Sequence, residues 1–226
     1  MIKSRTLSGR PPYSRGFTLV ELLVVLAIIS VLVSVLVPAA WNAMKIARQS
    51  TATQSSHGLG QLMTSYALTE GQYPDGATST DAMKQMIARG YLTSADVFYL
   101  PNGTQTKFKG QNPAVNLTSV NVSWDIVGQD GSDANPGPIG ISANAPSELP
   151  ILFSTGATVT IPPQQGPGSA LCSARGPLGT DGLAVTYKDN HSAFAKVNAT
   201  DGSPTITDFI EGSFDAKGVT YVQRKP

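Results

Sequence analysis

The chain has 226 residues, enough for one globular domain with appendages. Only 14% are charged, and the 22 Gly and 16 Pro suit a loop-rich extracytoplasmic domain better than a helical bundle. The formal net charge is +1 with no basic run or acidic tail, so nucleic-acid binding has no electrostatic support, and the single cysteine, Cys172, excludes an intrachain disulfide.

Residues 1–15 are basic, carrying Lys3, Arg5, Arg10 and Arg15, and Pro11-Pro12 breaks any helix there. This segment reads as targeting rather than fold. From Phe17 to Val37 the chain is apolar except for Thr18, Glu21, Ser30 and Ser34. As a helix this stretch spans roughly 31 Å, and a bilayer's hydrocarbon core is about 30 Å thick. Removing residues 1–16 would take four of the 16 basic residues and leave an acidic excess. The basic residues therefore lie beside the span, which predicts a cytoplasmic N-terminus and a translocated C-terminal bulk. A carboxylate such as Glu21 inside a span costs on the order of 2.5–3.5 kcal/mol, so it calls for a partner or a role.

A short basic leader ending in Gly16, then Phe17, then an apolar helix with Glu21 as its fifth residue, resembles the processing site of type IV pilins and of type II secretion pseudopilins. Pro38 falls where that family commonly kinks its long helix. The resemblance implies cleavage between Gly16 and Phe17 by a prepilin peptidase and N-methylation of Phe17. It also implies pairing of Glu21 with the new α-amine of a neighbouring subunit, which cancels two charges in an apolar filament core. Three segments are expected: a leader (1–16), a transmembrane and filament-core half of the helix (17–38), and an extracytoplasmic head (39–226). A rival reading is an ordinary secretory signal cleaved before Ala40. The length of the apolar stretch, Glu21 within it and Pro38 beside the bond all oppose that reading.

After Pro38 the helix is expected to continue to Leu68, roughly 78 Å from Phe17 if unbroken. Leu59, Leu62, Met63 and Tyr66 form one face, and Trp41 and Met44 begin a similar stripe. The Ser- and Thr-rich stretch 49–56, followed by Gly58 and Gly60, predicts a loosened middle. Residues 70–76 (EGQYPDG) stop the helix. Thr80 is the expected N-cap of a short helix over 81–89, with Met83, Met86 and Ile87 facing the core and Gly90 past its end. Leu100–Gly103 reads as a turn.

The remainder reads as short strands. Residues 120–127 alternate, with Val120, Val122, Trp124 and Ile126 on one face. Residues 130–140 read as a long polar loop. Strands are expected at 149–153 and 157–161, with a PPQQGPG loop after them and Cys172 in a Gly/Pro-rich loop. A hairpin joins 183–187 to 193–197, and strands at 205–210 and 219–222 close the sheet. One long N-terminal helix on a C-terminal antiparallel sheet is an α+β, pilin-like fold.

The head offers little chemistry. It contains no H-E-x-x-H, G-x-S-x-G or Walker A pattern, and Gly58-Leu59-Gly60 lacks the rest of a dinucleotide fingerprint. His57 is expected to face solvent and His191 to sit at a hairpin tip. Major pseudopilins as a family hold calcium, which requires six to eight oxygen ligands. Asp130, Asp133 and Asn135, or Asp181, Asp189 and Asn190, are the oxygen-rich clusters, but Asp and Asn are also standard turn residues. The turn reading is preferred, no ligand is assigned, and no cofactor is expected.

The expected function is structural: a subunit of a type II secretion pseudopilus or type IV pilus-like filament, without an active site. The implied partners are other pilin subunits, prepilin peptidase, an inner-membrane assembly platform and the membrane itself. The head would lie in the periplasm before assembly. The lone cysteine leans toward a pseudopilin, because many surface pilins close a C-terminal loop with a disulfide. The alternative is a minor or tip pilin acting as an adhesin or cargo-binding module, with loops 130–140 and 161–175 as its contact surfaces.

Overall fold

The computed structural model describes residues 16–132, 135–142, 144–161, 169–172, 176–198, 204–206, 210 and 219–226. The leader, the tip of the 130–140 segment at Asp133, and the PPQQGPG stretch lie outside the described residues. The chain divides into two compact units, residues 1–45 and 46–226. Helix α1 (Leu19–Glu70, 52 residues) contributes residues to both units.

The predicted loosening over residues 49–56 does not occur, because α1 is continuous there. Its hydroxyl side chains fold back onto carbonyls of the preceding turn: Thr51 Oγ1 onto Ala47 O, Thr53 Oγ1 onto Gln49 O and Ser56 Oγ onto Thr53 O. Such back-bonding satisfies polar side chains without leaving the helix. Helix packing then overrides weak propensity. Gly71, at φ 82°, ends α1 with its N–H donated to Ala67 O.

In the second unit the predicted helical face is the buried one. Leu59, Met63 and Tyr66 are buried and Leu62 is partly so. Helix α2 (Ser79–Ala88) follows, with Met83 and Met86 fully buried and Ile87 half-buried. Its N-cap is Thr78, not Thr80. The Thr78 hydroxyl accepts from Asp81 N–H, and the Asp81 carboxylate accepts in return from Thr78 N–H. That reciprocal pair needs an acid at the third helical position, which Thr78 has and Thr80 lacks. A short helix α3 (Pro113–Asn116) and a 3-10 turn (Ser119–Asn121) precede the sheet.

Strand β1 (Trp124–Ser132) is the hub. It pairs antiparallel with β3 (Pro150–Ser154) over Trp124–Ile126 and with β9 (Tyr221–Arg224) over Ile126–Gln129. From Gln129 to Ser132 it pairs with β2 (Asn135–Ile139). β3 continues to β6 (Gly182–Tyr187), and β6 to β7 (Ser192–Lys196). A second sheet holds β4 (Ala157–Thr160), β5 (Ser169–Cys172) and β8 (Thr205–Ile206).

Four expectations are corrected here. Val120 lies in the 3-10 turn and is exposed, so the strand begins at Trp124. Residues 130–140 contribute to a β1–β2 hairpin rather than a long loop. Among the described residues β2 pairs with β1 alone, and an edge strand of this kind tolerates Pro136 and Pro138. Cys172 lies on β5 and is buried, and burial pushes its thiol up to about 11. β8 joins the second sheet rather than closing the first.

Gln223 of β9 ties the two sheets together. Its Nε2 donates to Asp125 Oδ2 on β1 at 2.5 Å and to Ala157 O on β4 at 2.9 Å. Its Oε1 accepts from Val159 N–H at 2.9 Å. Asp125 is fully buried, and desolvation raises its carboxyl to about 6 against the pull of Thr155, Gln223 and Lys225. Asp75 is likewise raised to about 6 by burial, with Arg224 Nε 3.6 Å from its Oδ1.

Candidate processing and assembly site

The first unit presents the predicted site residues in sequence order. Gly16 and Phe17 are exposed and precede the helix, and Phe17 keeps 75% of its surface. A Cβ built on Gly16 would meet nothing within 4 Å, so among the described residues no contact demands glycine there. The bond between Gly16 and Phe17 lies in open, non-helical backbone.

Thr18 is where the helix is capped. Its N–H and its hydroxyl donate to Glu21 Oε2 at 2.9 and 2.8 Å, while Glu21 N–H donates to Thr18 Oγ1 at 3.2 Å. Thr18 and Glu21 thus form a capping box, the Thr-x-x-Glu spacing that opens helices. The resemblance implies a partner for Glu21 on a neighbouring subunit, whereas the contact with Thr18 lies within the chain. The spacing of Thr18 and Glu21 was the signal that would have found it.

Between Glu21 and Pro38 the helix is apolar apart from Ser30 and Ser34, and it is uncovered. Its most apolar 18-residue window has a mean hydropathy of 3.0 and no buried residue, so it is long and apolar enough to cross a membrane. Exposure runs from 38% at Val37 to 80% at Leu19, and Trp41 and Met44 are exposed as well. So extensive an apolar surface is not left to water in a stable protein. Ser30 and Ser34 return their hydroxyls to Leu26 O and Val31 O. Pro38 lies inside α1, where it supplies no N–H to the preceding turn.

The other candidates separate. His57 is half-buried rather than solvent-facing, with Ser192 Oγ 3.4 Å from Nδ1 and Gln61 Nε2 3.0 Å from Nε2. His191 is at the β6–β7 hairpin, stacked on Tyr187 at 4.3 Å, with Nδ1 2.5 Å from Asp189 Oδ1. The Asp130 carboxylate stands 3.4 Å from Arg224, and Asn190 takes the left-handed turn conformation at φ 68°. Among the described residues no three His, Cys, Asp or Glu side chains gather as a metal site would require.

Residues 12–37 match the family described as the prokaryotic N-terminal methylation motif. A fimbrial protein of Neisseria meningitidis serogroup A is 31% identical over 116 residues, covering 51% of this chain and 62% of the relative. A fimbrial protein of the serogroup B organism matches over the same length. The type IV major pilin protein PilE1 of Neisseria gonorrhoeae is 37% identical over 65 residues, 29% of this chain and 39% of that one. The chain thus spans less than two thirds of the length of the curated relatives it matches. No solved structure matches significantly. The chain thus carries the methylation motif at the head of an uncovered apolar helix, has an antiparallel sheet after it, and is similar over 116 residues to fimbrial proteins of Neisseria.

Proposed function

We propose that the chain is a structural subunit of a type IV pilus-like filament, matured by cleavage between Gly16 and Phe17 and by N-methylation of Phe17. The observation that carries this reading is the uncovered apolar first half of α1, which begins at Leu19, since it needs a bilayer first and sister helices afterwards. Before cleavage the Glu21 carboxylate is held by Thr18. After cleavage a free α-amine appears at Phe17, and the same carboxylate on a neighbouring subunit is its natural counter-charge. Pairing them removes two charges that would otherwise be stranded in an apolar filament core. Pro38 is the point at which the helix is expected to bend within the assembly.

The partners of this reading are a prepilin peptidase, an inner-membrane platform and other pilin subunits, with the head in the periplasm until assembly. The chain itself would perform no catalysis. The names of the Neisseria relatives favour a surface fibre, whereas a single cysteine favours a secretion pseudopilus. Recovery of the subunit in fibres sheared from cells assigns the first, and loss of a secreted protein on deletion assigns the second. A minor or tip subunit remains the alternative role, and it is separated by abundance, because a major subunit far outnumbers a tip protein.

The test is replacement of Glu21. Glu21→Leu should leave cleavage after Gly16 intact, since Glu21 lies beyond the cleaved bond, and should abolish recovery of the subunit in fibres. Wild-type yields of fibre from Glu21→Leu would contradict the proposal.

A further inference from the structure

The uncovered half of α1 is bounded by different residues at its two ends. Glu21 carries the last charge before a stretch that holds no Asp, Glu, Lys or Arg until Lys45. Up to Pro38 that stretch is aliphatic, apart from Ser30 and Ser34, whose hydroxyls return to helix carbonyls. Trp41 then appears, 70% exposed, with Asn42 beside it. The chain has two tryptophans. Trp124 is fully buried, with Nε1 donating to Val97 O at 3.1 Å, whereas the fold makes little use of Trp41.

The spacing of these residues is that of a bilayer. Trp41 follows Glu21 by about 20 residues, roughly 30 Å along a helix at ~1.5 Å per residue. A hydrocarbon core is about 30 Å thick. With Glu21 at one edge of the hydrocarbon, Trp41 therefore lies at the other. An indole suits that level, because its ring is apolar and its N–H seeks a polar partner. Lys45, one turn further on the same helix face and exposed, then has its ammonium among the lipid phosphates. A register that began at Phe17 would instead draw Glu21 roughly 6 Å into the hydrocarbon. A carboxylate becomes more costly in that direction, and Trp41 would pass out of the boundary into water.

We infer that Trp41 is an interfacial anchor, whose indole lies in the stored subunit at the lipid head-group boundary across the bilayer from Glu21. This depth presupposes the membrane-stored reading of the apolar helix and adds a register to it. The span then runs between Glu21 and Trp41 rather than over 17–38.

Depth-dependent quenching of tryptophan fluorescence tests this, with the full chain reconstituted in phosphatidylcholine vesicles. One set of vesicles carries lipid brominated near the head-group end of its acyl chains, and another carries lipid brominated near the methyl end. Trp41→Phe reports the background from Trp124. With that background subtracted, Trp41 should be quenched about twofold more by the shallow bromines than by the deep ones. Val31 lies midway between Glu21 and Trp41, so Val31→Trp combined with Trp41→Phe should show the reverse order. The anchor is overturned, with membrane storage intact, if position 31 is quenched while Trp41 is quenched equally by both lipids, more by the deep one, or by neither. Stronger quenching of position 31 by the shallow bromines overturns it as well. Quenching at neither position overturns the membrane-stored reading together with the anchor.

Discussion

Ser56 Oγ on α1 and Thr186 Oγ1 on β6 meet at 2.8 Å in a buried contact between helix and sheet. One turn later Gly60 faces the same threonine, and a Cβ there would lie 2.4 Å from Thr186 Cγ2. The contact continues through Ser192 Oγ, 2.6 Å from Thr186 Oγ1, to His57. Glycine at position 60 is therefore a requirement of close approach rather than a helix weakness. Gly60→Ala should destabilise the head by about 1–3 kcal/mol, although alanine is the better helix former by up to about 1 kcal/mol. Thr186→Ser removes Cγ2 and keeps the hydroxyl, so it should relieve most of that cost. Denaturant unfolding of the two single variants and the double variant measures the coupling.

The start of α2 distinguishes two threonines two residues apart. Thr78→Ala removes one half of a capping box and should cost about 1 kcal/mol, within a range of 0.5–2. Thr80 Oγ1 is buried with no hydrogen-bond partner, so Thr80→Val, which keeps the shape, should be neutral or stabilising. Thermal unfolding followed by circular dichroism compares them. The reverse ranking would contradict the cap.

Stability of the head should fall as pH rises through about 6. Asp125 and Asp75 are both raised to about 6 in the folded chain, above an ordinary value of 3.8. The folded state therefore holds these protons more tightly than the unfolded state. Between the two values it binds more protons, so stability decreases with increasing pH. The favourable contribution is complete below about 4 and lost above about 6. Asp125→Asn, which keeps an acceptor for Gln223, should flatten this part of the profile. Urea midpoints at pH 5 and pH 8 read the effect, and a midpoint higher at pH 8 would contradict it.

Gln223 should be the costliest single polar side chain to remove from β9. Gln223→Leu deletes two hydrogen bonds that join the two sheets, to Ala157 and Val159, and a third that holds Asp125 within the larger sheet. A loss of about 3–5 kcal/mol is expected, from one hydrogen bond to a carboxylate and two to backbone groups left without their partner. Asp125→Asn combined with Gln223→Leu should lose less than the sum of the two single changes, measured by the same unfolding curves.

Much of the architecture was legible because its signals are local and redundant. Leu59, Met63 and Tyr66 share a helical face with a period that admits one reading. Phe17 to Val37 is too long and too apolar for anything but a membrane-length helix. The failures occurred where tertiary contacts decide. Thr51, Thr53 and Ser56 looked like helix weakeners until their carbonyl partners were seen. Pro136 and Pro138 argued for a loop, and only an edge position among the described strands makes them compatible with β2. Val120 continued an alternating pattern into residues that form a 3-10 turn. Cys172 was read from its Gly- and Pro-rich surroundings, although its pairing with Ala157 makes it a strand residue. At the candidate site, Gly16, Phe17 and Glu21 lie within the matched methylation motif, and their roles rest on that motif. Thr18, three residues before Glu21, holds its carboxylate through the Thr-x-x-Glu spacing of a capping box, a local signal that the pilin-type motif does not include.

The central claim is that Phe17 becomes the N-terminus of a membrane-stored, filament-forming subunit. Mass-spectrometric sequencing of the N-terminus of the protein recovered from its native cell tests it most directly. The account predicts a chain that begins at Phe17 and carries an N-methyl group. A chain beginning at Ala40 would contradict it, because the apolar helix and Glu21 would then be absent from the working protein.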